Sequence, residues 1–228
     1  MKKNELYIYA LSINTEIDET IEKAYLSRLD DTQRNRMLRF HFKEDYKRSM
    51  YGELLSRHYL RNILGIPDQK LVVKRSKYGK PFLPDYPELQ FNISHSGEWV
   101  VCAIGYCNVG IDIEKIQNFD MSMAKNTFTR NEYEWLQRLN SQERIRAFYQ
   151  LWTLKEAYVK CQGKGMSIPF NSFEIVFTDN EVCLIIDHWD GMMQCLPFHE
   201  KYALSICSSQ PKKVSPIYIV DSSDIISF

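Results

Sequence analysis

The amino-acid sequence predicts an α+β protein, because strand-like and helix-like periodicities are both strong and follow one another along the chain. Residues 109–114 alternate between apolar and polar or glycine positions, as a strand does when it buries one face. Residues 45–64 carry apolar side chains at helical spacing, and Gly65 follows as a helix C-terminal glycine. Residues 129–132 (Thr-Arg-Asn-Glu) form a capping box, which predicts that a further helix begins there.

Other regular elements complete the predicted order. An opening strand is expected at residues 6–13, and a buried strand at residues 99–106. Ser141 is a candidate N-cap for a long helix that Gly163 ends. Several short strands follow, of which the last is expected at residues 217–220.

The composition limits the class of protein. The chain has 228 residues, 44% of them hydrophobic and 25% charged, which suffices for one large domain or two packed small ones. A formal net charge of +0 argues against a generic nucleic-acid binder, so no nucleic-acid partner is expected. No apolar run has the length of a membrane span, no signal-peptide pattern is present, and the 6 cysteines lack metal-ligand spacing. The expectation is a cytoplasmic protein with reduced thiols and no membrane partner.

The strand at residues 109–114 is unusual in carrying two carboxylates on one face. Asp112 and Glu114 are one strand repeat apart and point the same way, together with Gly110. Carboxylates this close repel each other unless a cation or a proton lies between them. A bound divalent metal is the economical explanation, with Gly110 clearing space beside the bound group.

A second unusual stretch, residues 91–97 (FNISHSG), places two hydroxyls around His95 at the predicted end of a strand. No GxSxG motif is present, so nucleophilic serine catalysis is weakly supported. Hydroxyl and imidazolium donors suit a phosphate better, which favours Ser94 and His95 as phosphate-binding residues. A purely structural histidine is the alternative.

Cationic and turn-forming residues precede that stretch. Residues 78–81 (Tyr-Gly-Lys-Pro) have turn chemistry. Five cationic residues in and before this turn would suit an anionic ligand lying across exposed backbone, namely Lys70, Lys74, Arg75, Lys77 and Lys80. The turn could equally serve only to join two strands. Arg36 lies in an earlier basic region that could instead be a solvated helix face.

The long helix before Gly163 presents a polar face of its own. Trp152, Glu156 and Lys160 recur every four residues, with Lys155 beside them. The apolar stripe lies on another face, at Ala147, Leu151, Leu154, Tyr158 and Cys161. A surface ion pair between Glu156 and Lys160, worth roughly 0.3–0.5 kcal/mol, is the alternative interpretation.

Taken together, three motifs in this order resemble the Sfp-type 4′-phosphopantetheinyl transferases. They are residues 91–96 (FNISHS), 110–114 (GIDIE) and 152–160 (WTLKEAYVK), and residues 78–81 (YGKP) and 39–49 also match. The resemblance covers almost the whole chain except the last strands and the tail.

The resemblance implies a fold and an activity. The fold would be a pseudo-dimer of two similar α+β subdomains, residues 1–106 and 107–228, with coenzyme A in the cleft between them. The activity would be that of a holo-[acyl-carrier-protein] synthase type enzyme. It would transfer the 4′-phosphopantetheine arm of coenzyme A to a serine of an apo acyl or peptidyl carrier protein, with Mg²⁺ as cofactor, and release 3′,5′-ADP. Such carriers serve nonribosomal peptide and polyketide synthesis, and a monomer is expected.

The resemblance also assigns roles to single residues. Asp112, Glu114 and Glu156 would hold Mg²⁺ on the pyrophosphate, and Glu156, Lys160 and Asp112 would be the catalytic group. The remaining assignments all concern contacts with coenzyme A: Lys155, Lys160, Ser94 and His95 with its phosphates, Arg36 and Ser49 with its 3′-phosphate, and Tyr78, Lys80 and Pro81 with its adenine. Gln33 stands where relatives often have a lysine, and Arg34 next to it is a candidate substitute.

Two alternatives stay open, a coenzyme-A-binding or carrier-docking protein with little transfer activity and a different Mg²⁺-dependent phosphotransferase or nuclease. Carrier selectivity is expected in residues 117–128 and 163–170. Apolar residues in these segments could pack either on a carrier helix or in the core; they are Phe119, Met121, Met123 and Met166.

Overall fold

Strands and helices alternate along the chain, and the computed structural model describes residues 1–13, 19–29, 31–178, 182–185 and 189–226. The strands are β1 (Glu5–Ser12), β2 (Lys74–Arg75), β3 (Pro81–Phe82), β4 (Gln90–Ser96), β5 (Trp99–Gly105), β6 (Val109–Lys115), β7 (Glu174–Phe177), β8 (Val182–Ile185), β9 (Met192–Cys195), β10 (Tyr202–Ser208) and β11 (Lys213–Val220). The helices are α1 (Glu19–Leu26), α2 (Asp31–Met37), α3 (Lys43–Leu64), α4 (Met121–Thr127), α5 (Arg130–Arg138), α6 (Ser141–Gln162) and α7 (Ser222–Ile226).

Two sheets carry the structure. The first has the strand order β11-β1-β5-β4, and the second has the order β6-β10-β9. Neighbouring strands are antiparallel except β1 and β11, which run parallel. Two short hairpins, β2–β3 and β7–β8, lie outside these sheets.

The sheets and the two long helices form four layers. One hydrophobic cluster fills the space between α3 and the first sheet, and another fills the space between α6 and the second sheet. A third cluster joins the two sheets face to face, with Ile8 and Val101 on one side and Ile111 and Leu204 on the other. The order is therefore helix, sheet, sheet, helix, and the predicted α+β class is confirmed.

At one edge, the two sheets are joined by side chains rather than by a backbone ladder. Alternate residues of β4 accept hydrogen bonds from alternate backbone N–H groups of β6. The three bonds run from Ile111 to Oδ1 of Asn92 (2.9 Å), from Ile113 to Oγ of Ser94 (3.4 Å) and from Lys115 to Oγ of Ser96 (3.0 Å). This edge fixes the acidic strand β6 beside the Ser-His-Ser stretch of β4.

Most predicted helix ends agree with the structure. Gly65 and Gly163 both end their helices with a φ of 66°, in the left-handed region that favours glycine. The capping box at Thr129 and Glu132 is present at the start of α5. The predicted cap at Ser141 is wrong, because the Asn140 side chain accepts from the N–H groups of Gln142 and Glu143 instead.

The last strand is longer than predicted. It begins at Lys213 rather than at residue 217, although Pro216 lies inside it. The register against β1 shifts between Leu6 and Ile8, and Ile8 donates its N–H to Oγ of Ser215 there. The irregularity accommodates the proline, which has no N–H to give to a ladder.

Within the residues that the structure describes, no helix combines the length and apolarity needed to cross a membrane.

Candidate functional site

The centre of the site is Asp112, a residue that is only 2% exposed. Its Oδ1 accepts hydrogen bonds from Nζ of Lys160 (2.5 Å) and from Oγ of Ser94 (2.7 Å). Nζ of Lys160 also donates to Oγ of Ser94 at 3.1 Å, which closes a triangle. Residues from β6, α6 and β4 therefore meet at one point, as predicted from three separate motifs. Lys160 pairs here with Asp112, and the structure shows no surface ion pair of Lys160 with Glu156 among the described residues.

Two further carboxylates surround this triangle. Oε2 of Glu114 accepts a hydrogen bond from Oγ of Ser96 at 2.8 Å. Burial raises the pKa of Glu114 to about 7, and the negative charge of Asp112 adds to the rise. Burial also raises the pKa of Glu156; Lys160 opposes this rise and Asp112 adds to it. The site is therefore richer in negative charge than its one lysine balances.

Gly110 explains how α6 reaches the acidic strand. A Cβ on Gly110 would lie 2.0 Å from the backbone oxygen of Ala157 and 2.4 Å from the backbone nitrogen of Cys161. The expectation that Gly110 clears space beside a bound group is therefore wrong. Its missing side chain lets α6 contact β6 backbone to backbone, and this contact brings Glu156 and Lys160 to Asp112.

The chemistry of the donors fits a hard divalent cation. Oδ2 of Asp112 is buried and has no hydrogen-bond partner within the described part of the chain. Burial and the charge of Asp112 raise the pKa values of Glu114 and Glu156, and Lys160 only partly opposes both rises. Carboxylate oxygens are the ligands that Mg²⁺ prefers. The three carboxylates do not form a finished coordination shell, because no group of three possible metal ligands stands close enough in the described residues.

A continuous cleft runs past the triangle. One part, of about 710 Å³, is lined by Glu156 and Lys160 and extends to Trp152 and Phe170. The adjoining part has a volume of about 670 Å³. Both parts share a set of wall residues from the short hairpin and β4, namely Arg75, Pro81, Asn92 and Ile93.

The second part of the cleft is basic. Arg36 and Ser49, which the family resemblance assigned to the 3′-phosphate, both line it. Nη2 of Arg36 lies 3.4 Å from Oε2 of Glu53, which also accepts from the Tyr25 hydroxyl at 3.0 Å. Ser49 donates its hydroxyl to the sulfur of Met37 at 3.6 Å.

This basic wall also contains Arg75, one of the cations that the sequence suggested for an anionic ligand, and Arg48 and Arg57, which had no assigned role. Arg75 donates to the carbonyl of Gly79 at 2.9 Å, and burial and the charge of Arg36 lower its pKa. Arg48 donates to the carbonyl of Gly97 at 3.1 Å and to Asp45 at 2.6 Å. The signal for Arg75 was its place immediately before the Gly-Lys-Pro turn, whereas Arg48 lies in an ordinary polar helical position.

Arg34 does not substitute for a lysine at Gln33. Its guanidinium donates to the carbonyls of Leu26 and Leu29, at 3.0 Å and 3.3 Å. Gln33 itself lines the basic part of the cleft, whereas Arg34 is not part of that lining. The cations that this wall has besides Arg36 are Arg48, Arg57, Lys74 and Arg75.

His95 keeps an exposed side towards the basic part of the cleft. The protein packed around the rest of its ring lowers its pKa, and the charges of Arg48 and Lys160 lower it further. A bound anion beside it would favour the imidazolium, so His95 is suited to respond to a phosphate.

The turn before β3 contributes Tyr78, Lys80 and Pro81 to the wall near Glu156. The Tyr78 side chain is 46% exposed. The Lys80 ammonium instead contacts backbone carbonyls of Val109, Lys160 and Cys161.

Lys155 lies away from the cleft, in contrast to its predicted contact with phosphates. Its side chain is 0% exposed, and its ammonium pairs with Oε1 of Glu132 at 2.8 Å. It also donates to the carbonyls of Phe170 and Phe173, each at 2.7 Å. Lys155 therefore joins α6 to α5 and to the segment before β7.

The proposed carrier-docking residues separate into two groups. Phe119 stacks on Phe148 with ring centroids 3.8 Å apart, and Met121 packs against the same cluster. Met123 is 47% exposed. The side chain of Met166 lies outside the described residues.

Comparison with known proteins matches two family models to the chain. The model for the 4′-phosphopantetheinyl transferase superfamily matches residues 108–207, and a model for the N-terminal part of 4′-phosphopantetheinyl transferases matches residues 18–106.

Two curated relatives and two solved structures are similar to the chain. The 4′-phosphopantetheinyl transferase gsp of Aneurinibacillus migulanus is 43% identical, over 72% of this chain and 69% of its own. The 4′-phosphopantetheinyl transferase Sfp of Bacillus subtilis strain 168 is 30% identical, over 96% of this chain and 99% of its own. A holo-(acyl-carrier-protein) synthase from Bacillus anthracis strain Ames, solved in complex with coenzyme A (3′,5′-ADP), covers 44% of this chain and 93% of its own, with 22% identity and a TM-score of 0.38. The holo-[acyl-carrier-protein] synthase of Thermotoga maritima covers 44% and 61%, with 19% identity and a TM-score of 0.37. On the family models and the curated relatives, this chain belongs to the 4′-phosphopantetheinyl transferase superfamily.

Proposed function

We propose that this chain transfers the 4′-phosphopantetheine arm of coenzyme A to a serine hydroxyl of an apo carrier protein. The observation that carries the proposal is the triangle of Asp112, Lys160 and Ser94, which lies beside a cleft with a basic wall. Such a cleft suits coenzyme A, an elongated substrate whose 3′,5′-ADP part carries a phosphomonoester on the same ribose that the pyrophosphate joins to the pantetheine arm.

The basic wall would bind the 3′-phosphate. Arg36 and Arg75 offer guanidinium donors, and Ser49 offers a hydroxyl. Glu53 holds Arg36 in the absence of ligand, and a bound phosphate would compete for that arginine. Tyr78 and Pro81 would contact the adenine from the neighbouring turn.

Lys160 would neutralise charge at the reacting phosphate. An ammonium has three N–H groups, and two of those on Lys160 are used by Asp112 and Ser94. The third can reach a phosphate oxygen, and His95 can donate from the opposite wall. Asp112, Glu114 and Glu156 would hold Mg²⁺, which when bound supplies positive charge to the pyrophosphate oxygens.

The transfer itself needs one proton acceptor. The serine oxygen attacks the phosphorus next to the pantetheine arm, the bond to the bridging pyrophosphate oxygen breaks, and 3′,5′-ADP leaves. We assign Glu156 as the group that accepts the serine proton, because it lines the cleft and burial raises its pKa.

A direct experiment tests this function. The protein is incubated with coenzyme A, Mg²⁺ and several apo carrier proteins, and the added arm is measured by mass spectrometry. We expect Glu156→Ala to lose more than the roughly 10²–10⁴-fold typical of a general base, because a metal ligand is lost as well. Glu143→Gln, an exposed position on the same helix, is the matched control.

Two outcomes would overturn the proposal. One is the absence of a mass gain on every carrier, and the other is near-normal turnover by folded Glu156→Ala. Tight binding of coenzyme A without any mass gain would instead favour the second candidate, a coenzyme-A-binding protein with little activity.

Several finer properties belong to the same proposal. We infer a holo-[acyl-carrier-protein] synthase type reaction on acyl or peptidyl carriers, carried out by a monomer. A reducing, cytoplasmic location agrees with the free thiols of Cys102, Cys107, Cys161, Cys195 and Cys207. The exposed Met123 is the remaining described docking candidate in residues 117–128.

The two-subdomain division, residues 1–106 and 107–228, remains part of the proposal. The two family models meet at this boundary, which supports it. In addition, residues 213–220 form β11, which pairs with β1 and so completes the first sheet.

A further inference from the structure

We propose that Lys80 is a positioning residue, which acts through the C-terminal turn of α6 and through Lys160 rather than by touching the substrate. The inference rests on the proposed function, because the reaction that Lys160 serves is the one proposed above. It replaces the direct adenine contact that the sequence resemblance assigns to Lys80.

The contacts of Lys80 leave no donor for a ligand. Its Nζ donates to the carbonyls of Lys160 at 2.7 Å, Val109 at 3.0 Å and Cys161 at 3.1 Å. An ammonium has three N–H groups and no acceptor, so these three bonds satisfy it completely. A phosphate or an adenine nitrogen could be bound only by breaking one of them.

The position of this ammonium suits the end of a helix. The carbonyls of the last turn of a helix carry partial negative charge and have no partners within the helix. Gly163 satisfies part of this turn, because its N–H lies 3.0 Å from the Val159 carbonyl and 3.2 Å from the Lys160 carbonyl. Lys80 supplies a full positive charge to the same turn from the hairpin that precedes β4.

The contact also joins parts of the chain that meet at the active site. The Val109 carbonyl belongs to the first residue of the acidic strand, and the Lys160 carbonyl belongs to the residue whose ammonium holds Asp112. Lys80 thus fixes the start of β6 and the end of α6 relative to each other. Its stem packs beside Gly163, where an added Cβ would come within 3.0 Å of Cδ of Lys80.

Removing the ammonium should therefore disturb Lys160 first. In Lys80→Met, three backbone carbonyls lose a donor, and the last turn of α6 is held only by Gly163 and by packing. The Lys160 ammonium then has more freedom relative to Asp112 and the reacting phosphate. We expect kcat to fall about 10- to 100-fold, the scale of a misplacement near 1 Å, whereas the Kd for coenzyme A stays close to the wild-type value.

A double-mutant cycle separates this role from direct binding. kcat for transfer to an apo carrier is measured for the wild type, Lys80→Met, Lys160→Met and the double variant. If Lys80 acts through Lys160, the double variant is no slower than Lys160→Met alone. Lys201→Met, at an exposed lysine that lines neither part of the cleft, is the control for loss of positive charge.

Two further readouts report on position rather than on chemistry. Hydrogen exchange should accelerate at the backbone amides of residues 159–163 in Lys80→Met and remain unchanged in Lys201→Met. Lys80→Arg should recover part of the lost kcat, because a guanidinium can also donate to several carbonyls. If Lys80→Met does not fold, Lys80→Gln serves the same cycle, because its amide can bond two of the three carbonyls.

The outcomes distinguish failure of this inference from failure of the proposed function. If the wild-type protein does not transfer the arm to any carrier, the proposed function itself is wrong. An active wild type in which the two kcat effects multiply, or in which Lys80→Met raises the Kd for coenzyme A at unchanged kcat, overturns the positioning role.

Discussion

At the scale of single residues, Asp112 and Glu114 differ sharply although they lie two residues apart on one strand. Asp112 has an ammonium and a hydroxyl at hydrogen-bond distance, whereas Glu114 has the hydroxyl of Ser96. Burial therefore raises the pKa of Glu114 to about 7. This carboxylate therefore binds a proton more readily than an exposed glutamate does, and a cation beside it would oppose that.

The raised pKa predicts a pH dependence of stability. The pKa of Glu114 rises from its ordinary 4.5 to about 7 on folding, so the folded state holds this proton more tightly than the unfolded state. The stability from the bound proton is present below about 4.5 and is lost as the pH rises through about 7. In EDTA, Tm should fall across this range, and Glu114→Gln should flatten the fall. An equal fall of Tm in that variant would contradict the assignment.

Sequence patterns identified the residues of the central triangle but not the surroundings that give each its role. Lys155 and Glu156 are adjacent, yet one is buried and the other lines the cleft. Lys155 follows Leu151 by four residues and so lies on the apolar face of α6. Its partner Glu132 comes from a different helix, so no local spacing could reveal the pair.

At the scale of elements, the contact between β6 and α6 controls the site. The two backbones touch at Gly110, which leaves no room for a side chain. The strand motif alone predicted open space beside Gly110, but it carries no information about which part of the chain packs there. The helix that fills it lies about forty residues later in the chain.

This contact predicts that Gly110→Ala is strongly destabilising. The new methyl group would meet backbone atoms at 2.0 Å and 2.4 Å, so α6 must move away from the acidic strand. Overpacking of this kind costs about 1–3 kcal/mol or more. We expect a lower Tm and a loss of transfer activity, both measurable on purified protein.

A matched glycine provides the control. Gly105→Ala places its methyl group 2.5 Å from Cδ2 of Leu6, and the nearest backbone atom is at 3.9 Å. The end of a leucine side chain can rotate away, whereas a helix backbone cannot. A Tm loss in Gly110→Ala no larger than that in Gly105→Ala would disprove this account.

At the scale of the whole molecule, the fold is two helix-covered sheets pressed together, with β11 returning to the first sheet. The alternating patterns predicted most of its strands and both long helices. They did not predict which strands pair, because the paired residues of β1 and β11 lie 208 or 209 apart in sequence, as for Glu5 with Lys213 and Leu11 with Val220. Pairing over this distance depends on tertiary packing that no local pattern encodes.

Because β11 pairs with β1, we expect the buried side chains of β11 to stabilise the first sheet. Val220 is 6% exposed and belongs to the cluster beneath α3, whereas the adjacent Ile219 is 63% exposed. Val220→Asp should lower Tm clearly, because it buries a carboxylate in an apolar cluster. Ile219→Asp should leave Tm nearly unchanged. Hydrogen exchange across residues 5–12 should rise in Val220→Asp only, and equal effects of the two substitutions would exclude this pairing.

The parallel pairing of β1 and β11 also affects how the chain is made. Ile8 leaves the ribosome 207 residues before its partner Ser215. At roughly 5–20 residues per second, that interval is about 10–40 s. Throughout it, one edge of β1 has no strand to pair with, and an unpaired edge invites association with other chains. Synthesis conditions that slow translation lengthen this exposure, so the yield of folded protein should depend on how quickly the final strand emerges.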